Sequence, residues 1–141
     1  MKKFLVGVDG SELSVRAVRK AAEYASGMKA QLVLVYALAP MSHMAEVYTG
    51  PIGDLEEADR KNGELILRDA ARVARESGCE VSATMLNGSP ATVLAERAGQ
   101  DRDVDLVVVG SRGLGTVASA ILGSVTDRLL LVCKKPVLVV Q

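Results

Sequence analysis

Glycines gather directly behind the apolar run Leu106-Val107-Val108-Val109: Gly110, Gly113 and Gly115, then Gly123 followed by Ser124. Glycine lets backbone N–H groups face an anion with no Cβ in the way. The stretch Ser124-Val125-Thr126-Asp127 then reads as a helix start, with Asp127 three residues after Ser124 as in a capping box. A helix N-terminus carries unpaired N–H groups and about half a positive charge, which suits phosphate. The hydroxyls of Ser124 and Thr126 add donors. Any one of these glycines could serve a plain connection. Compact α/β connections usually run ~2–6 residues, however, and longer ones tend to be functional. The chemistry this spacing points to is a phosphate cradle.

Two common phosphate loops can be set aside. The string G-x-x-x-x-G-K-[ST] is absent. Gly113-Leu114-Gly115-Thr116-Val117-Ala118 satisfies the looser G-x-G-x-x-A fingerprint, but the acidic residue expected ~20 positions on is replaced by Cys133. Among the other candidates, Asp9 begins Asp9-Gly10-Ser11-Glu12, which reads equally as a helix cap and as a ligand contact. Arg112 could neutralise phosphate oxygens through its planar fork or stand solvated. Arg128, Lys134 and Lys135 balance the end of the last helix. His43, the one histidine, lies in an irregular stretch with no identifiable nucleophile or acidic partner, which reads as a surface-loop histidine. Cys79 and Cys133 match no metal-ligand spacing and read as buried, inert thiols.

The elements that must position these residues alternate in type. Apolar runs at 3–9, 30–38, 79–86, 104–110 and 136–141 predict strands. Helices are expected over 11–28, 54–77, about 89–98 and 124–132. Ala17, Val18, Ala21, Ala22, Ala25 and Met28 form the apolar face of the first, with Gly27 as its stop. Ile66, Ala70, Val73 and Ala74 form that of the second, with Gly78 as its stop. Ser89 caps the third and Pro90 suits its first turn. Residues 39–53 read as irregular. Strands alternating with helices predict a five-stranded parallel sheet covered on both faces, and the Val/Leu runs suit strands buried on both sides. Ligands of such sheets bind beyond the strands' carboxyl ends, where the glycines begin.

The totals agree with one domain over residues 1–141. Lys+Arg and Asp+Glu are both 17, so no bulk charge draws nucleic acid or an anionic membrane. One Phe, three Tyr and no Trp are poor equipment for stacking single strands. "FLVGV" is too short for a signal-peptide core, and no apolar run approaches the ~20 residues of a membrane helix. The expectation is a protein of the reducing cytoplasm, binding neither nucleic acid nor membrane.

Gly110-Ser111-Arg112-Gly113, nine residues, then Gly123-Ser124 resembles the G-x-x-G-(nine)-G-[S/T] pattern of nucleotide-binding universal stress proteins. "FLVGVDGSE", "DLVVVGSRGLG", "ILGSVTDRLL" and "KKPVLVVQ" are similar to that family in its order, so the resemblance spans the chain. It implies a Rossmann-like, adenine nucleotide alpha hydrolase-like sandwich that binds ATP, with Mg²⁺ as a candidate bridge between phosphates. Carried over by position, Gly110, Gly113, Gly123 and Ser124 would hold phosphate, helped by the backbone of Ser111, Arg112, Leu114, Gly115, Thr116, Val125 and Thr126. Asp9 falls on an acidic position near the nucleotide, Gly7 and Val8 on backbone beside it, and Ala37 where main chain meets adenine. Tyr36 stands where many members have His and takes no role. The family places the last strand at the sheet edge, so Val137–Val140 is expected to pair with its copy in a homodimer. The resulting expectation is a nucleotide-dependent switch or sensor in the stress response, acting on an unidentified protein partner. Two alternatives stay open: a slow ATP hydrolase, with Asp9 positioning water, or an interaction module whose loop is empty.

Overall fold

The computed structural model describes residues 1–40, 50–112 and 122–141. Their order is β1 (Lys3–Gly7), α1 (Glu12–Met28), β2 (Gln31–Leu38), α2 (Ile52–Arg75), β3 (Glu80–Asn87), α3 (Pro90–Gln100), β4 (Val104–Gly110), α4 (Ser124–Val132) and β5 (Val137–Val140). The strands form one parallel sheet in the order β3-β2-β1-β4-β5. The chain thus winds outward from β1 to β3, then crosses back to place β4 on β1's other side. In such sheets the crevice at the reversal, here between β1 and β4, is where ligands bind.

Strand alternation divides the core. Phe4, Val6, Leu32, Leu34 and Val108 face α1 and α2, while Leu5, Val33, Val35, Val107 and Val109 face α3 and α4. Helix α1 covers its side with small residues, Ala17, Val18, Ala21, Ala22 and Ala25 all being fully buried. Helix α2 uses Leu67, Ala70, Ala71 and Ala74, with Ile66 and Val73 at the rim. Leu94 and Leu129, both buried, anchor α3 and α4 on the other face. Each fully buried leucine contributes about 1.5–3 kcal/mol relative to exposure.

The helix ends correct several expectations. Ser11, not Asp9, caps α1: its Oγ accepts from the Ser14 N–H at 3.2 Å. Asp9 instead closes an Asx-type turn, its Oδ1 accepting from the Ser11 N–H at 2.8 Å. Gly27 does not stop α1. The helix runs through Met28, which is 70% exposed, and ends on Lys29 at φ 56°, whose N–H reaches Ala25 and Ser26 carbonyls. Helix α2 begins at Ile52, inside the stretch expected to be irregular, and ends before the turn closed by Gly78 at φ 78°. Ser89 stands at the N-cap of α3, but its side chain bonds Thr92 Oγ1 at 2.9 Å rather than the backbone. Gly123 occupies the N-cap of α4, so Ser124 is already helical and forms no capping box. Cys79 precedes β3, and it and Cys133 are half-buried rather than buried.

Candidate functional site

A cleft of about 250 Å³ opens at the carboxyl ends of β1, β2 and β4. That is just below the span of ligand clefts, which run ~300–1,000 Å³. Its walls bring together Gly7 at the end of β1 with Val8 and Asp9 after it, Ala37 in β2, Gly110 at the end of β4 with Arg112 after it, and Gly123, Ser124, Val125 and Thr126 at the start of α4. Ser111 is buried and not part of the wall. Gly113, Leu114, Gly115, Thr116 and His43 lie outside the described residues.

The hydrogen bonds redistribute the roles expected of this cradle. The Ser111 N–H donates to Val140 O at 2.8 Å, and the Gly123 N–H to Ser111 O at 2.7 Å. Both amides are therefore spent on holding the strand end. The Thr126 hydroxyl, expected as a phosphate donor, donates to Gly110 O at 2.7 Å and is 2% exposed. What remains at this end is the first turn of α4, where Ser124, Val125 and Thr126 carry the helix's unpaired N–H groups. Those groups, with the helix dipole, favour an anion.

The glycines serve different ends. A Cβ on Gly110 would stand 3.0 Å from the Leu13 carbonyl carbon, so the missing side chain admits the first turn of α1. Gly123 has φ −72°, a conformation open to any residue. A Cβ on Gly7 would meet Leu94 Cδ1 at 2.8 Å.

Sequence reasoning missed several wall residues. Ser14, 5% exposed, accepts from the Asp9 N–H through Oγ at 3.1 Å and so ties the strand end to α1. Pro90 and Leu94 line the cleft from α3, and Asn62 from α2. Tyr36, given no role, also lines it and is 8% exposed. Its hydroxyl donates to Asp59 Oδ1. Burial, then the Asp59 hydrogen bond and charge, push the tyrosine up from 10.0 to about 12, with Asn62 acting the other way. A Cβ on Gly63 would collide with the Tyr36 ring. The one signal was a glycine amid a helical pattern, where it costs about 1 kcal/mol against alanine. Among the described residues no group of three His, Cys, Asp or Glu could hold a metal ion. None of their helices is long and apolar enough to cross a membrane.

Comparison with known proteins agrees with this fold. Residues 1–141 match the model of the universal stress protein family. The universal stress protein YxiE of Bacillus subtilis is 31% identical over 146 residues, covering 99% of this chain and 98% of its own. The solved UspA of Lactobacillus plantarum superposes with a TM-score of 0.85 at 21% identity, over 99% of this chain and 97% of its own, which speaks for the fold. A universal stress protein solved in complex with cAMP has a TM-score of 0.72 and 30% identity, over 99% of this chain and 96% of its own.

Proposed function

Because the chain belongs to the universal stress protein family, we propose that its cleft binds an adenine nucleotide, ATP in the first place, and that occupancy switches what the protein presents to a partner. The observation that carries this reading is the cleft at the strand-order reversal, with the first turn of α4 at one end and Ala37 of β2 at the other. The cAMP-bound relative supports an adenine ligand. The phosphates would rest on the N–H groups of Ser124, Val125 and Thr126, with Arg112 at the rim. Gly7, Val8 and Asp9 would flank the sugar, and the Ala37 backbone would meet the base. The described residues offer no carboxylate set for a divalent ion, so Mg²⁺ would be held by the ligand's phosphates.

In this reading one domain over residues 1–141 works as a cytoplasmic homodimer joined along β5. The switch is thermodynamic linkage: a nucleotide shifts the protein only by its differential affinity for the two states.

Calorimetric titration of ATP into two variants tests the cradle, with circular dichroism to confirm folding. Gly123→Val puts a branched side chain in the wall beside the α4 amides and should abolish most binding. Arg112→Ala removes a half-buried rim charge and should cost less than about tenfold, since rim ion pairs contribute ~0–1 kcal/mol. The reverse ordering would show that side-chain charge, not backbone, holds the phosphates.

A further inference from the structure

We propose that Asn62 reads the exocyclic amine of the bound base, its carboxamide held in one orientation by the Tyr36–Asp59 pair. The proposal rests on the adenine-nucleotide reading and adds a specificity determinant to it. Sheet order supplies the direction of the ligand. Strand β4 and helix α4 lie on one side of β1, strand β2 on the other, and α2 packs on β2 and β3. With the anion at α4, the uncharged ring falls at the β2 end, where Tyr36, Ala37 and Asn62 form the wall.

A carboxamide can turn either its oxygen or its amine to a ligand, and only its other partners fix the choice. Here the Tyr36 proton is given to Asp59 Oδ1, which leaves the phenol oxygen with lone pairs alone. Asn62 lines the same wall beside Tyr36, and a carboxamide next to an oxygen that carries lone pairs alone presents its NH₂ to it. Its NH₂ therefore turns toward Tyr36 and its carbonyl oxygen toward the cleft. A carbonyl oxygen accepts from an amine such as adenine N6 and repels an oxygen at that place. Gly63 supports the arrangement, since its bare Cα lets the Tyr36 ring lie against α2 one residue from Asn62. Asn62 is itself solvent-exposed, so its replacement leaves the core untouched.

The test is calorimetric titration of ATP and of purine riboside triphosphate, which lacks only the exocyclic amine, into the parent, Asn62→Ala and Tyr36→Phe. The parent should bind the amine-free nucleotide about three- to tenfold more weakly, the span of one net hydrogen bond. Asn62→Ala should narrow that ratio about threefold or more while binding of the amine-free nucleotide changes little. Tyr36→Phe, which keeps the ring but frees the carboxamide to turn, should narrow it as well. A parent ratio near one, or a ratio unchanged in Asn62→Ala, overturns the proposal and leaves the nucleotide reading standing. A ratio unchanged in Tyr36→Phe alone removes the tyrosine's positioning role. A parent that binds neither nucleotide overturns the reading and the proposal together.

Discussion

A methyl group at Gly110 would fall 3.0 Å from the carbonyl carbon of Leu13 and 3.1 Å from its oxygen. Backbone cannot yield as a side-chain tip does, so Gly110→Ala should destabilise the fold by about 1–3 kcal/mol. Urea unfolding measures it, and a change below 0.5 kcal/mol would mean α1 can lift off β4 freely. At Tyr36 the folded form holds its proton to about 12 against an ordinary 10.0. The unfolded chain therefore ionises first. Stability from this group is whole below pH 10 and is lost as pH rises toward 12. Tyr36→Phe should flatten that part of the alkaline loss, read as the difference between the two pH–stability curves. Most cleft residues were legible singly in the sequence: Asp9, Ala37, Gly110 and Ser124 all reach the wall. Their roles were less so. Spacing reports that a glycine is there, not that Gly110 is needed for Leu13 or that the Thr126 hydroxyl is spent on Gly110 O. Asn62 and Tyr36 are joined only by tertiary packing, which no local pattern reveals.

The helices were legible where apolar period decided and less so where single residues end them. The alanine stripe of α1 is buried as its spacing predicts. Its end at Met28 falls where the span 11–28 put it, but the residue that ends it is Lys29, in the left-handed conformation at φ 56°, and not Gly27. A left-handed L-residue costs about 1–2 kcal/mol, partly offset by glycine's entropy in the unfolded chain. Lys29→Gly should therefore stabilise the protein slightly, by about 0.5 kcal/mol, seen as a higher urea midpoint with unchanged slope. The other end of α1 tests the corrected cap. Ser11→Ala removes the acceptor of the Ser14 N–H and should cost about 1 kcal/mol. The start of α2 was hidden for a physical reason: Pro51 caps it without a side-chain hydrogen bond, so the usual polar signal is missing.

The sheet's composition was legible at the scale of the whole molecule, since continuous Val/Leu runs announce strands buried on both faces. The order of its strands was not legible in any segment, because pairing is decided by tertiary packing; the family resemblance gave only the edge position of the last strand. That order leaves β5 at an edge, with Val137–Val140 all half-buried. An apolar edge invites pairing with another chain, and in the proposed homodimer a two-fold axis there would pair β5 antiparallel with its copy. Val139→Lys should shift the protein toward monomer in sedimentation equilibrium, with circular dichroism confirming the fold. A folded variant that sediments with the parent's mass would remove β5 as the dimer seam.

The central claim, an adenine nucleotide seated between the α4 amides and the end of β2, is tested most directly by following backbone amide resonances of the labelled protein during titration with ATP. The account predicts saturable shifts at one-to-one stoichiometry, largest at Val8, Asp9, Ala37, Ser124, Val125 and Thr126. Resonances of the distant β3 edge, such as Ser82, should stay in place. Shifts centred elsewhere, or none at saturating nucleotide, would contradict it.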